Sequence, residues 1–248
     1  MKNTKGRAPS ILFLDIETSP VINARFQFDR NPYISMDGIL EDWYIICAAW
    51  KFAGSAKVTA MASDMVKRND KQVVKALRDA IEEADIIVGH NLDKFDLKCL
   101  TTRLIVNRLK PLPSTPSVDT YKQVKKVGAF TSSKLAYLSK TLNGTEKMKM
   151  DFDDWLACRA NNKSAIKKMV DYNKIDVVRT EELYNTLLPY MKSHPHTGVL
   201  KGHLRDESCP KCGSKDIKHN GLRVSAAGVK KREVQCGACH SYSRINFK

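Results

Sequence analysis

Up to Leu188 the chain alternates between short apolar runs and helical periodicities. Ile11 to Ile16, Tyr44 to Phe52 and Lys57 to Met61 are rich in β-formers, and Gly54 with Ser55 marks a turn between the second and third. Three strands joined in this way predict an antiparallel start to a sheet. Lys71 to Ala84 places Val74, Leu77 and Ile81 at helical spacing, Asp85 to Val88 reads as a short strand, and Leu97 to Leu109 is helical again. A strand over Ser117 to Asp119 follows, then helices over Lys134 to Leu142 and Lys163 to Leu188, with Asn143-Gly144 ending the first of them. This order, βββαβαβ and then helices, predicts an α/β domain built on a mixed sheet flanked by helices.

The pattern breaks at Ser193 to Gly198, a polar segment carrying Pro and Gly, and beyond it four of the seven cysteines crowd together. The expected organisation is a domain over residues 8–192, a linker over 193–204 and a small module over 205–248. Lys and Arg number 42 against 27 acids, a formal charge of +15. That excess is well above the magnitude of about 2 to 8 that suffices for solubility and favours a polyanionic partner such as nucleic acid. Eleven basic and four acidic residues lie between Pro195 and Lys248, so charge density is highest in the tail. A hydrophobic content of 42% excludes wholesale disorder and collagen-like structure. No apolar stretch approaches the roughly 18 residues of a membrane span, and the basic, polar start of the chain has no apolar signal core. A cytoplasmic protein without a membrane partner is therefore expected.

Asp15-Ile-Glu17 ends the first strand, and residues two apart point to the same face, so both carboxylates can reach one metal ion. Charge at the end of an otherwise buried strand is costly unless compensated. In Gly89-His-Asn-Leu-Asp-Lys-Phe-Asp96 a strand passes into a helix, with Asn91 or Asp93 able to cap it and Asp96 in its first turns. Tyr172 and Asp176, four residues apart, share one face of the long helix. Taken singly, the three have plainer readings: a chance acidic pair, a helix cap and a solvated helix face.

Taken in order, they resemble the motifs of the DEDD superfamily of 3′-to-5′ exonucleases, which has a ribonuclease H-like fold. Phe13-Leu-Asp-Ile-Glu-Thr18 is similar to the first motif, His90-Asn-Leu-Asp-Lys-Phe-Asp96 to the second, and Tyr172 to Asp176 to the third in the form that defines the tyrosine branch. Val118-Asp-Thr120 and Lys134 to Asn143 also resemble segments between motifs two and three, so the likeness covers about residues 8 to 190. Thr18 through Trp50 looks most like exonuclease-like proteins of bacteriophages, which would place the chain in a host cytoplasm. Arg25 to Asp42 has no counterpart in the simplest members.

Four carboxylates, Asp15, Glu17, Asp96 and Asp176, are the donors that two hard cations, Mg²⁺ or Mn²⁺, require. By resemblance, Asp15 bridges both ions, Glu17 and Asp176 complete the nucleophile-side ion, and Asp96 holds the other mainly through water. Tyr172 orients the attacking water. His90 is not read as a base, because the family's histidine branch places that residue in motif three, where this chain has Asp171. Asn91 is assigned to support of motif two or to substrate contact.

Cys209-x₂-Cys212 and Cys236-x₂-Cys239 form a four-thiolate set suited to one structural Zn²⁺, which a module this small needs in order to fold. Reduced thiols in a cytosolic chain argue against disulfides. His219 and His240 are spare, since four cysteines complete the site, and Cys47, Cys99 and Cys158 are read as inert thiols. The segment resembles zinc ribbons of insertion-element transposases. That implies nucleic-acid contacts from Arg223, Lys230, Lys231, Arg232, Tyr242 and Arg244, with contact to a protein partner as the other use of a ribbon. Tyr121, Lys122, Lys125, Lys126, Lys147 and Lys149 are candidates for a strand-entry groove, weighed against a solvated helix face. The whole reads as a metal-dependent 3′-to-5′ exonuclease preferring DNA to RNA. The rivals are an RNA-directed exonuclease, a structure-selective endonuclease with the same site, and a catalytically silent nucleic-acid-binding adaptor.

Overall fold

The computed structural model describes residues 7–25, 35–145 and 148–246. Much of the Arg25 to Asp42 stretch, and Lys147, lie outside the described residues. The elements in order are β1 (Ile11–Thr18), β2 (Ile22–Asn23), β3 (Ile39–Glu41), β4 (Ile45–Phe52), β5 (Thr59–Ala62), α1 (Lys71–Glu83), β6 (Ile86–Gly89), α2 (Asp96–Val106) and β7 (Ser117–Asp119). They continue with α3 (Thr120–Val127), α4 (Leu135–Asn143), α5 (Phe152–Arg159), α6 (Lys163–Leu187), α7 (Thr197–Leu200), β8 (Ile217–Val224), β9 (Lys230–Cys236) and β10 (Tyr242–Asn246).

Five strands form the central sheet in the order β5-β4-β1-β6-β7. β4 runs antiparallel to β1 and β5, whereas β6 is parallel to β1 and β7. A short connection joins β4 to β5, a longer one carrying β2 and β3 joins β1 to β4, and α1 and α2 are the crossovers that parallel strands require. The sheet is ribonuclease H-like in being mixed, with helices on both faces. Strand alternation divides β1 between two cores. Leu12, Leu14 and Ile16 pack under α1 and α2 with Val74, Leu77, Ile81, Leu100 and Leu104. Phe13 faces the other way, onto α3, α4 and α6, with Val88, Val118, Leu138, Val177 and Tyr184. Its ring meets that of Tyr184 edge-on at 5.4 Å. Asp15 and Glu17 share the parity of Phe13 and therefore face the side of the sheet that α6 covers.

Asp70 stands at the start of α1 without capping it. Its fully buried carboxylate takes Arg103 Nε at 2.6 Å and Nη2 at 3.1 Å, the Ile45 amide at 3.0 Å and Asn107 at 2.8 Å. One ion pair thus joins α1, α2 and β4. Arg159, at the end of α5, reaches the Glu41 carboxylate, Ser19 Oγ and the Pro20 carbonyl, and so anchors the loop after β1.

Two helices depart from the sequence expectation. α3 is lysine-rich and only eight residues long, too short for its amphipathic pattern to stand out, and it starts where the Asp119 side chain accepts from the amides of Tyr121 and Lys122. α5 is started by a reciprocal capping box between Asp151 and Asp154 rather than by an apolar stripe. Residues 193–204, expected as a linker, contain α7 and are tied to the cysteine segment by a 2.8 Å bond from the Thr197 amide to the Pro210 carbonyl. Beyond them β8, β9 and β10 make a three-stranded antiparallel sheet in the order β10-β9-β8.

Candidate metal centres

Asp15, Glu17 and Asp176 each bring a carboxylate oxygen within 4.8 Å of the others. β1 supplies the first two by its period of two, and α6 supplies the third from a buried turn above them. The neighbouring positions on β4 are small, with Ala49 paired to Asp15 and Cys47 to Glu17, so that strand sets no large side chain beside the carboxylates. Three anions this close repel one another, and a set made only of oxygen donors suits a hard divalent cation.

Asp96, the first residue of α2, is separate from that trio. It is buried, and its Oδ1 accepts the Ile16 amide at 3.1 Å. Burial pushes its carboxyl up to about 7, backbone hydrogen bonds oppose the rise, and the Asp119 charge adds to it. The bond to Ile16 places Asp96 beside β1 between Asp15 and Glu17 in sequence. This close approach of motif two to β1 depends on Gly89, where a Cβ would meet Leu92 side-chain atoms at 2.9 Å and the Leu14 carbonyl at 3.2 Å.

His90 is held through both ring nitrogens, Nδ1 to Thr120 Oγ1 at 2.9 Å and Nε2 to the Ser133 carbonyl at 2.9 Å. The ring fastens the starts of α3 and α4. Asn91 has a left-handed backbone, φ 66°. Its amide donates to Asp119 Oδ1 at 3.0 Å, and its carbonyl accepts from Lys94 and Phe95, which shapes the turn into α2. Tyr172 lies one helical turn from Asp176 with its ring edge-on to Trp155 at 6.4 Å.

Asn173 was not singled out from the sequence. It is fully buried, and its amide donates to Asp15 Oδ2 at 2.6 Å. The available signal was its place three residues before Asp176, on the same face of a helix otherwise packed by apolar side chains. Cys47 and Cys158 flank the trio. Burial raises both thiols, Cys158 to about 11, with the Glu17 charge acting in the same direction on each. They stay neutral near neutrality.

In the second centre Cys209, Cys212, Cys236 and Cys239 place their sulfurs within 4.8 Å of one another. Cys209 and Cys239 are 3.7 Å apart and Cys212 and Cys236 are 3.5 Å apart. A tetrahedral zinc with Zn–S bonds of about 2.3 Å has sulfur separations near 3.8 Å, so the set fits that ion. No disulfide joins them. Gly213 closes the first knuckle at φ 73°, with its amide on the Cys209 carbonyl at 2.9 Å. Ser241, buried, sits 3.1 Å from Cys239 Sγ.

Cross-strand pairing sorts the basic residues of this module onto two faces. Arg223 pairs with Lys231, Arg244 with Glu233 and Tyr242 with Gln235, so these side chains share one face. Lys230 and Arg232 belong to the opposite face, opposite Val224 and Leu222. Arg223 is also paired to Glu233 at 2.7 Å. On α3, Lys122 is paired to Asp93 at 2.6 Å, and Lys125 lies over the Tyr121 ring at 4.3 Å.

A mixed five-stranded sheet with flanking helices and a carboxylate trio at the end of its central strand defines a ribonuclease H-like protein able to hold divalent metal. A family model of the RNase_H superfamily matches residues 41–188, and the chain belongs to that superfamily. The match holds Asp96, Tyr172 and Asp176 and begins after β1, so Asp15 and Glu17 lie outside it. No curated protein matches the chain. Among solved structures, a family B DNA polymerase from the hyperthermophilic archaeon Pyrobaculum calidifontis aligns with a TM-score of 0.56 at 18% identity, over 73% of this chain and 25% of that one. The chain spans about a quarter of the polymerase's length, and the likeness is one of fold. Among the described residues no helix is long and apolar enough to cross a membrane.

Proposed function

We propose that the chain is a divalent-metal-dependent 3′-to-5′ exonuclease of the tyrosine DEDD branch, acting on DNA in preference to RNA. The observation that carries this reading is the convergence of Asp15, Glu17 and Asp176 on an RNase_H superfamily scaffold. Mg²⁺ or Mn²⁺, when bound, would activate water and stabilise the leaving 3′ oxygen. Asp15, Glu17 and Asp176 would hold one ion, and Asp96, set apart from them, would serve the second through water. Asn173 holds the Asp15 carboxylate in one rotamer. Tyr172, a turn from Asp176, would position the attacking water through its hydroxyl. His90 is left to its structural bonds. The net charge, the likeness in fold to a DNA polymerase and the transposase-like cysteine module support a DNA substrate.

The test follows end-labelled single-stranded DNA, duplex DNA and RNA in Mg²⁺, Mn²⁺ or chelator, with Asp15→Ala alongside. Stepwise shortening from the 3′ end, lost in the variant, is the expected result. Internal cuts would replace the exonuclease with an endonuclease. Binding without metal-dependent cleavage of any substrate would make the chain an adaptor.

A further inference from the structure

A cavity of about 880 Å³ lies in the seam between the end of α6 and the cysteine module, and none of the four carboxylates lines it. Lys192 and Tyr190 line it from one side, and Arg205, Lys231, Tyr242 and Arg244 from the other. The two phenol rings are 68% and 54% exposed, unusually open for tyrosines at a packed seam. The one lining carboxylate, Glu233, is taken up by Arg223. Lys211, a fifth lining cation, is buried and donates to the Pro189 carbonyl, so four cations and two accessible rings are left to face the trough.

Hydrogen bonds tie the end of α6 to the segments that follow it. Lys211 Nζ donates to the Pro189 carbonyl at 2.7 Å, and the Tyr184 hydroxyl and His194 Nε2 share a 2.8 Å hydrogen bond. Ser193 and His194 also line a second cavity of about 350 Å³, which runs on past Lys122 and Lys126 to Asp93 in the motif-two loop. The two cavities share Ser193 and His194 in their linings, and the second reaches the loop that precedes Asp96. From Asp176 to Pro189 is about 20 Å along α6 at 1.5 Å per residue, so the trough is remote from the chemistry.

We propose that this trough binds single-stranded nucleic acid, with Lys192, Arg205, Lys231 and Arg244 on phosphates and Tyr190 and Tyr242 stacked on unpaired bases. Cations alone would serve a duplex equally well. Exposed rings can stack only on bases that are not already stacked in a helix, and that selects the single strand. The assignment rests on the nuclease reading in that it names the form of that site's substrate and feeds a strand toward it. It also divides the basic residues of the module, because Lys230 and Arg232, on the other face of the β8-β9-β10 sheet, take no part.

The test uses the full zinc-loaded chain carrying Asp15→Asn, so that the probe survives, and reads anisotropy of a labelled thymidine 20-mer and of a 20-base-pair duplex across a salt series. Tyr190→Ala with Tyr242→Ala should weaken single-strand binding about tenfold or more and leave the duplex little changed. Lys231→Ser with Arg244→Ser should lower the slope of log affinity against log salt by about 1.4, for two phosphates at about 0.7 each. Lys230→Ser with Arg232→Ser should change neither. The proposal is overturned if the tyrosine pair binds the single strand as tightly as the parent, if duplex and single strand suffer alike, or if only the Lys230 and Arg232 changes weaken binding. Zinc content and circular dichroism confirm that each variant is folded. In the wild-type background, Mn²⁺-dependent hydrolysis of the p-nitrophenyl ester of thymidine 5′-monophosphate, too small to reach the trough, judges the nuclease reading alone. Groove variants should hydrolyse it as wild type does.

Discussion

The Asn173 amide donates a 2.6 Å hydrogen bond to Asp15 Oδ2 and thereby ties α6 to the end of β1 at the carboxylate trio. A carboxylate among like charges has reason to rotate away, and a buried donor opposes that rotation. Asn173→Ala should lower Mn²⁺ affinity and cleavage rate by about ten- to a hundredfold, a hydrogen bond to a charged group being worth about 1.5–3 kcal/mol. Asn173→Asp, which sets a fourth anion beside Asp15, should lower the stability of the metal-free protein more than Asn173→Ala does. Calorimetric Mn²⁺ titration of the folded variants separates the loss of affinity from loss of stability, and unchanged affinity in Asn173→Ala would remove the positioning role.

Asp96 carries a pH dependence of stability in the metal-free protein. Its folded carboxyl, pushed up to about 7 by burial, holds its proton where the unfolded chain, near 3.8, has lost it. The folded state binds the extra proton between those values, so stability falls as pH rises through that window and levels off above it. Asp96→Asn removes the titration. Thermal melts in chelator should show the variant gaining several degrees over wild type at pH 8 and much less at pH 5. A constant difference across that range would exclude burial of this carboxyl as the cause.

Zinc removal should act locally. Cys239→Ser should lose the ion, measured by elemental analysis, and unfold the β8-β9-β10 sheet, whose few buried residues include Val234 and Ile245. The central sheet has its own two-sided core and should keep its cooperative melt. Hydrolysis of the small ester should persist while binding of long strands falls.

Arg103 and Asp70 test a buried ion pair. Arg103→Met alone strands a fully buried carboxylate that also holds Ile45 and Asn107, and about 3–5 kcal/mol should be lost by denaturant unfolding. Asp70→Asn with Arg103→Met should recover part of that loss. Additive losses in the double variant would show that the two groups do not interact.

The divisions of the chain that were legible in its sequence are those governed by local rules. Strand alternation put Asp15 and Glu17 on one face, helical spacing put Tyr172 and Asp176 on another, and the repeated Cys-x₂-Cys spacing marked a metal module. The first two follow from the period of one element and the third from the ligand spacing of a metal knuckle. Helices α3 and α5, each eight residues long, begin from side-chain caps at Asp119 and Asp151, and elements this short give too few turns for a period to be read.

The sequence by itself thus determined the α/β class of the fold, the residues that could bind metal and the excess of positive charge. Tertiary structure alone decided that three of the four carboxylates meet while Asp96 stands apart on the Ile16 amide, that Asn173 holds Asp15, and that Lys231, Tyr242 and Arg244 share a trough with Tyr190 while Lys230 and Arg232 face away. Those facts depend on strand register and on the packing of separate elements, which bring together residues from 41 to 161 positions apart. No period within a single element encodes such a distance.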